Sequence, residues 1–351
     1  MMTKFFAAAN TENGFYSLFD EMFSPEDFKR IYILKGGPGT GKSTLMGSVG
    51  FAAEANGYDV EYIYCSSDTK SLDGVIIPAL GIAVLDGTAP HTVDPIYPGA
   101  VERIVNLGEA FDNAALEGKR EDLISLICAK SDAYRTAYRF LAAAGRMERE
   151  RDDLLTSIFL SGKASAAAKR IVSSLRYAEK GKERRRYLSA IGVQGLFTLE
   201  TYAEKAKKIY AVTGKNGLDF AFMTKLHEAL SREGIAMTVC AAPLVATHTE
   251  AIFVDGEDVL FTVANEKQAE RSDKIINCAR FASAERLSQR RKRLRFAEKC
   301  TDILMEGALS ALADAGTLHG KVENIYGACV DFSKVDEMKN RILAEIFANN
   351  M

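Results

Sequence analysis

The chain lacks the features that would mark a membrane, metal or redox protein. No run of about 18 apolar residues occurs, so the sequence predicts no transmembrane helix. The first residues lack the apolar region of a signal peptide, and we therefore expect a cytoplasmic protein. None of the six cysteines forms a CxxC pair, which argues against a zinc or thioredoxin-like site. The net charge of −2 gives no global reason to expect nucleic acid as a partner.

What the sequence does contain is an internal repeat. Residues 29–32 (KRIY) return as KKIY at 207–210, an offset of 178. Residues 75–77 resemble 252–254 at an offset of 177, and 170–171 return at 341–342 at an offset of 171. The order and near-constant spacing of these matches predict two tandem copies, residues 1–180 and 181–351.

Each copy has the same predicted plan. In the first copy, residues 4–9, 31–35, 59–65, 75–77 and 82–85 are apolar or β-branched runs typical of strands, and 42–56 is typical of a helix. Residues 112–178 are helical in pattern, with few glycines and no proline, and 279–350 take their place in the second copy. Strands separated by helices predict an α/β fold with a mostly parallel sheet in each copy, covered on both faces, and an added helical subdomain.

A glycine-rich segment follows the predicted strand at 31–35. Residues 36–44 read GGPGTGKST and contain GxxxxGK[ST], the pattern of a P-loop NTPase, between a predicted strand and a predicted helix. Glycines let backbone N–H groups curl around phosphate oxygens, and the helix N-terminus attracts an anion. Lys42 is expected to reach the β- and γ-phosphates as a catalytic residue, and Ser43 to bind Mg²⁺. The candidate nucleotide-binding residues are Gly36, Gly37, Pro38, Gly39, Thr40, Gly41, Lys42, Ser43 and Thr44.

A P-loop enzyme also needs an acid on a neighbouring strand to hold Mg²⁺. Asp86 ends the apolar run 82–85 and is the candidate for this catalytic and metal-binding role, although an Asp-Gly pair also ends many ordinary strands. It is followed by Gly87 and not by the Glu that activates water in many ATPases, a pattern closer to small-molecule kinases. Asp68 is a further candidate because it follows the strand ending at Cys65, where ligands bind in α/β sheets. An ordinary capping loop explains Asp68 equally well.

The second copy has lost the phosphate pattern. At an offset of 178, Asp219, Phe220 and Ala221 take the places of the last glycine, the lysine and the serine. An Asp repels phosphate and a Phe cannot replace the lysine charge, so we expect no nucleotide there.

A second segment is lost together with that pattern. Because the offset falls from 177 to 171, the second copy is six residues shorter between the counterparts of Ile77 and Asn106. The affected segment of the first copy, residues 86–99, carries His91, Asp94 and Tyr97. These residues could close over the nucleotide or hold a second substrate; a surface loop that is free to vary is the alternative.

With these motifs the chain resembles a family of uncharacterised bacterial ATP-binding proteins built from two tandem P-loop modules. The resemblance rests on the loop at 36–44, on SLDGVIIP at 71–78 and on residues 86–109, and it extends over essentially the full length. It implies a P-loop ATPase-like fold but no substrate. In that family the second module can also carry a P-loop, and this chain departs from the family there.

Two basic clusters and one histidine complete the candidates. Residues 180–186 and 290–295 are rich in Lys and Arg, and solvated surfaces are the first interpretation of both. Alternatively they bind nucleic-acid phosphates, or one Arg reaches the γ-phosphate as an arginine finger. His319 and Glu323 are spaced as a helix-surface pair and are too few for a metal site.

The sequence thus predicts a protein that binds ATP and Mg²⁺ in its first copy only. The leading hypothesis is an ATPase that couples hydrolysis to a conformational change or to a protein partner. A kinase acting on a small molecule or nucleotide acceptor, and a nucleotide-binding switch with little turnover, are the alternatives. Nucleic acid is a further candidate partner that the composition does not favour, and no membrane partner is expected.

Overall fold

The computed structural model describes residues 2–90, 92–264 and 266–347. The first copy contains these elements: β1 Met2–Phe6, β2 Ala8–Thr11, β3 Gly14–Ser17, α1 Phe19–Met22, β4 Arg30–Lys35, α2 Lys42–Ala55, β5 Val60–Tyr64, β6 Leu72–Ile77, β7 Ile82–Asp86, β8 Glu102–Asn106, α3 Asn113–Glu117, α4 Arg120–Thr156 and α5 Ser161–Val172. The second contains these: β9 Glu183–Arg186, β10 Ser189–Gly192, β11 Gly195–Thr198, α6 Thr201–Lys205, β12 Lys208–Thr213, α7 Leu218–Arg232, β13 Met237–Ala241, β14 Thr249–Val254, β15 Val259–Val263, α8 Glu266–Ala269, β16 Lys274–Asn277, α9 Ala284–Gly327 and α10 Phe332–Phe347. Short 3₁₀ helices lie at Pro25–Asp27, Pro78–Leu80, Leu107–Ala110 and Cys278–Phe281.

Each copy builds a six-stranded mixed sheet, and the two sheets have the same strand order. The first runs β1-β5-β6-β7-β4-β8 and the second runs β9-β13-β14-β15-β12-β16. In the first sheet β4 is parallel to both β7 and β8, β1 is parallel to β5, and β6 is antiparallel to both of its neighbours. The prediction of an α/β chain with two mostly parallel sheets is confirmed at this level. The antiparallel β6 was not foreseen; it follows from the short connection at 78–81, since a parallel strand would need a long crossover.

The predicted strand at residues 4–9 is corrected to two strands. The chain leaves the first sheet after Phe6, whose backbone exchanges two hydrogen bonds with Tyr187 of the second copy. It then forms the hairpin β2-β3, and β10-β11 is the corresponding hairpin of the second copy. An apolar run cannot reveal such a break because both strands bury their side chains.

Alternation along β4 shows how the layers are arranged. Ile31 and Ile33 point into a core cluster that also contains Phe253 and Leu260 of the second sheet. Tyr32 and Leu34 point to the opposite face and pack with α2. Each sheet therefore has a helix-covered face and a face that contributes to a core shared by both copies.

The long helices α4 and α9 run antiparallel along each other. Lys130 contacts His319 near one end, and Arg293 pairs with Glu150 near the other. At 1.5 Å per residue, α4 with its 37 residues extends about 55 Å and α9 with 44 residues about 66 Å. Small side chains such as Ala137 and Ala308 lie in the seam between them, which lets the backbones approach closely.

The two copies exchange the ends of their helical parts. Asp112 N donates to Cys329 O and Asp331 N donates to Ala110 O, both at 2.8 Å. The same pair of bonds recurs 171 residues away: Ser283 N donates to Ile158 O and Leu160 N donates to Phe281 O. As a result α10 packs into the core of the first sheet through Val335, Ile342 and Ile346, and α5 packs into the core of the second sheet. The chain limits predicted from the repeat, 1–180 and 181–351, separate the two sheets but not the helices that cover them.

No helix in the described ranges combines the length and the apolar character needed to cross a lipid bilayer.

A buried carboxyl in the second copy predicts a pH dependence of stability. Burial raises the pKa of Glu250 to about 7, and its Oε1 makes no hydrogen bond within the described residues. The folded protein then holds this proton up to about pH 7, whereas the unfolded chain releases it near 4.5, so stability falls as pH rises through that window. Glu250→Gln stays neutral, and we expect denaturant unfolding to show a loss between pH 5 and pH 8 that is smaller by about 2–3 kcal/mol than in the wild type. Glu204→Gln, at an exposed site, should leave the wild-type pH dependence unchanged; equal behaviour of the two variants would contradict the prediction.

Candidate functional site

The turn between β4 and α2 has the geometry that its glycines allow. Gly39 and Gly41 have φ of +71° and +83°, in the left-handed region that side chains with a Cβ rarely adopt. Gly41 is the N-cap of α2, so the helix begins at Lys42, as the sequence predicts. The Thr40 hydroxyl donates to Gly37 O at 2.8 Å and ties the turn together. The turn 36–41 therefore places the start of α2 at the carboxyl end of β4.

The backbone amides of this turn are left without partners. Within the described residues, the N–H groups of residues 39–44 donate to no backbone or side-chain acceptor, and the first inward bond is from Leu45 N to Gly41 O. No side chain caps the helix. Unpaired N–H groups at a helix N-terminus carry a partial positive charge and suit an anion.

The side chain of Lys42, the first residue of α2, folds back over the turn 36–41. Its Nζ donates to Gly36 O and Gly37 O, each at 2.9 Å, and lies 3.6 Å from Asp86 Oδ2. The side chains of Lys42 and Asp86 are only 10% and 17% exposed, so this pair is partly shielded from solvent. Asp86 reaches the lysine because it ends β7, the parallel neighbour of β4.

Ser43 and Asp86 are the candidate Mg²⁺ ligands, and both side chains already accept hydrogen bonds within the protein. Asp86 keeps Oδ2 towards Lys42, while its Oδ1 accepts from the N–H and hydroxyl of Thr88. Ser43 Oγ accepts from Leu72 N at 2.9 Å. No group of three or more His, Cys, Asp or Glu side chains suited to a metal occurs in the described part of the chain. One carboxylate and one hydroxyl nevertheless fit Mg²⁺, which binds NTPase sites through one or two protein oxygens, waters and substrate phosphates.

Asp68 and Asp94 do not contact Lys42 or Ser43. Asp68 accepts from Lys70 N, from the Ser71 hydroxyl and from Gln194 of the β10-β11 hairpin, so it holds its own loop against the second copy. Asp94 is highly exposed and pairs with Lys35 at 3.3 Å. His91 lies outside the described residues.

The segment 86–99 is anchored beside the turn through Lys35. The Lys35 Nζ donates to Gly87 O at 2.8 Å and to Val93 O at 2.7 Å. Further along, the Glu102 carboxylate accepts from Ile96 N and Tyr97 N. Lys35 is the last residue of β4, as the sequence predicts, and its function here is to fasten this segment to the sheet.

Residues of the second copy cover the turn, and sequence order gave no sign of this. A Cβ placed on Gly39 would lie 2.6 Å from Glu323 O, and one on Gly37 would lie 3.2 Å from the Tyr326 ring. Phe332 and Val335 approach Gly41 in the same way. Two glycines of the pattern therefore serve a second purpose, which is to admit the end of α9.

One helical turn before Glu323, a small polar cluster lies beside the residues of α9 that cover the turn 36–41. His319 Nε2 is 3.5 Å from Glu323 Oε1, which agrees with the predicted helix pair, and Lys130 Nζ is 3.4 Å from His319 Nδ1. Burial and the neighbouring Lys130 lower the pKa of His319, and burial lowers the pKa of Lys130. The pair was predicted as a simple surface contact; only the packing of α9 brings it to the candidate site.

The basic clusters lie elsewhere. Residues 290–295 belong to the first third of α9, about 45 Å along the helix from Glu323, so they cannot supply an arginine finger to this turn. Residues 183–186 form the edge strand β9, where Arg184 pairs with Asp255, Arg185 with Glu21 and Arg186 with Glu61.

The counterpart turn of the second copy is shorter than the constant offset implied. β12 matches β4 at an offset of 178, but the N-cap of α7 is Gly217, with φ of +85°, against Gly41 for α2, an offset of 176. Leu218 and Asp219, and not Phe220 and Ala221, therefore take the places of Lys42 and Ser43. The sequence match did not reveal this two-residue deletion, because Gly214 and Gly217 still align with Gly36 and Gly39 at the offset of 178.

The short turn pairs amides at the start of α7 with acceptors of its own. Asp219 Oδ1 accepts from Phe220 N at 3.0 Å, and Leu218 N donates to Lys215 O. Burial raises the pKa of Asp219. The two turns thus differ in chemistry: the first leaves its amides unpaired beside a lysine, and the second fills that position with a carboxyl.

Comparisons with protein-family models, curated proteins and solved structures found no match to this chain. A proposal about its function therefore rests on the geometry of the site.

The close packing of α9 on the turn predicts unequal effects of two glycine substitutions. Gly39→Ala and Gly57→Ala both place a side chain at positive φ, which costs about 1–2 kcal/mol. Only Gly39 has a close neighbour, since nothing lies within 4 Å of a Cβ on Gly57. We expect chemical denaturation to show that Gly39→Ala lowers the free energy of unfolding by at least about 1 kcal/mol more than Gly57→Ala. Equal losses would show that α9 does not rest on the turn.

Proposed function

We propose that the turn 36–44 binds the phosphates of ATP. The observation that carries this proposal is the row of unpaired amides at residues 39–44 beside Lys42, contrasted with the second copy, where Asp219 occupies the helix start. Phosphate oxygens would accept from these amides and from Lys42 Nζ, which would exchange its bonds to two loop carbonyls for stronger charge-assisted bonds. The Lys42 side chain needs only to change acceptors for this.

Magnesium is the proposed partner of the nucleotide. Ser43 Oγ and Asp86 are the residues that would hold it, the serine directly and the aspartate directly or through water. When bound, the ion would neutralise charge on the β- and γ-phosphates. Asp86 would also keep the Lys42 side chain oriented, because the two charged groups already lie 3.6 Å apart.

The proposed activity is slow ATP hydrolysis coupled to a conformational change. Residues of α9 and α10 lie against Gly37, Gly39 and Gly41. A rearrangement of the turn around phosphates would therefore first displace these helices of the second copy. The rigid helix pair α4-α9 extends from this contact to the other turn, where Leu155 lies against Gly217. Such a connection suits an ATPase whose nucleotide state changes how the two copies pack.

A switch with little turnover is the second candidate. Asp86 is followed by Gly87, whose carbonyl is bound by Lys35, so the strand end offers no second carboxylate to activate water. The kinase hypothesis has less support, because the segment expected to hold an acceptor is tied down by Lys35 and Glu102.

Removal of the lysine tests the proposed binding site. Lys42→Ala should weaken the binding of ATP by at least about tenfold in isothermal titration calorimetry, since one charge-assisted contact to phosphate is worth about 1.5–3 kcal/mol. Lys163→Ala removes the same charge from an exposed position on α5, and Phe220→Leu alters the second turn; both should bind ATP as the wild type does. Unchanged affinity in Lys42→Ala would remove the basis of the proposal.

Substitution of Asp86, together with assays of ATP consumption with and without an acceptor, distinguishes the ATPase, kinase and switch hypotheses. Asp86→Asn should reduce the magnesium dependence of ATP binding and abolish any turnover, because the ion loses its only proposed carboxylate. ATP consumption by the wild type without an added acceptor supports the ATPase. Consumption only with an acceptor supports a kinase, and tight binding with neither supports the switch. Turnover in Asp86→Asn equal to the wild type would show that another group holds the metal.

A further inference from the structure

A large cleft lies in the second copy, at the turn that lacks the phosphate pattern. It has a volume of about 1240 Å³ and lies between the turn 214–217, the start of α7, the end of β16 and the first third of α9. A cleft of this size exceeds the roughly 300–1,000 Å³ of typical small-ligand sites. The turn that cannot hold a triphosphate in the manner of the first copy therefore borders ample space for a ligand.

Three exposed cations line the cleft. Lys215 contributes from the turn, and Arg291 and Arg295 are one helical turn apart on α9. Within the described residues, none of the three charged groups takes part in an ion pair or a side-chain hydrogen bond, unlike Arg293, which pairs with Glu150. Cations that line one cleft without partners suit a ligand with two negative charges.

The acidic groups at the cleft do not cancel this charge. Arg151 is already paired with Glu148 at 2.6 Å. Asp219 is buried, and burial raises its pKa. Glu298 also lines the cleft, one helical turn after Arg295, but the cations of the lining still outnumber its acids. The carboxyl of Asp219 also accepts from Phe220 N at the start of α7, so an anion is directed to the two arginines and not to the helix start.

Apolar side chains also line the cleft. Leu287 on α9 and Ile275 on the edge strand β16 are the accessible ones, and Ile275 is 54% exposed, whereas Leu218 and Leu294 are almost fully buried. Accessible apolar side chains beside unpaired cations fit a ligand with a flat or apolar body and a charged end.

We propose that this cleft binds an organic phosphate, with its phosphate between Lys215, Arg291 and Arg295 and its ring body against Ile275 and Leu287. Binding there needs no magnesium and no P-loop. The second copy then holds a ligand of its own, at the far end of the helix pair from the proposed ATP site. This proposal is independent of the proposed ATP binding.

The test uses 4-methylumbelliferyl phosphate as the probe, titrated into the full chain in the presence of EDTA and followed by fluorescence anisotropy. The wild type and Lys42→Ala should bind the probe equally, and 4-methylumbelliferone, which lacks the phosphate, should bind at least tenfold more weakly. Arg291→Gln/Arg295→Gln should weaken binding of the probe at least tenfold. Arg290→Gln/Lys292→Gln removes the same charge from neighbouring exposed positions that do not line the cleft, and its affinity should stay within twofold of the wild type.

A second variant guards against a folding defect in the double mutant. Ile275→Glu changes an already exposed side chain and places a negative charge on the cleft wall, so it should weaken binding while thermal unfolding stays as in the wild type. Loss of the probe in Lys42→Ala would move the site to the first turn and overturn the proposal. Absence of binding by the wild type, or equal losses in the two double variants, would overturn it as well.

Discussion

The reciprocal docking of the helical ends is the constraint on which the rest of the structure depends. Two backbone bonds between residues 110–112 and 329–331 have counterparts between 158–160 and 281–283. They force α4 and α9 to run the length of both copies, and they bring α10 to the first sheet and α5 to the second. The cover of the first turn by Glu323 and Tyr326 follows directly, because that end of α9 has nowhere else to lie.

The exchange gives the two turns different surroundings despite the equal strand orders of their sheets. The first turn is closed by aromatic and apolar residues of α9 and α10, and its lysine is mostly buried. The second turn opens into a large cleft lined by exposed arginines of α9. Two halves with the same strand order can in this way differ, with a covered, glycine-rich turn at one end and a broad cleft with exposed cations at the other, joined by a pair of long helices.

Local patterns allowed good prediction where local physics decides the structure. β4, the turn and the start of α2 were placed within a residue, because an apolar run, positive-φ glycines and a helix start all act over a few residues. The equal strand orders agree with the two copies read from spacing. The exchange could not be predicted, since an amphipathic helix has the same period whichever sheet it covers. For the same reason His319 and Glu323 were recognised as a pair but not as neighbours of the turn. The two-residue shortening at Gly217 was missed because glycines on both sides preserve an apparent match.

The exchange also sets an order of events during synthesis. The first sheet, its helix α2 and its turn leave the ribosome early, but Val335, Ile342 and Ile346, which complete that core, are translated only after the whole of the second sheet. Domains usually fold as they emerge, from the N-terminus onwards. Here the first half must wait for α10, and the side of α2 that packs with α10 stays uncovered until the second sheet has been made. A product that stalls before α10 would therefore expose that side, and chaperones would act on residues 1–180 although all of them have been translated.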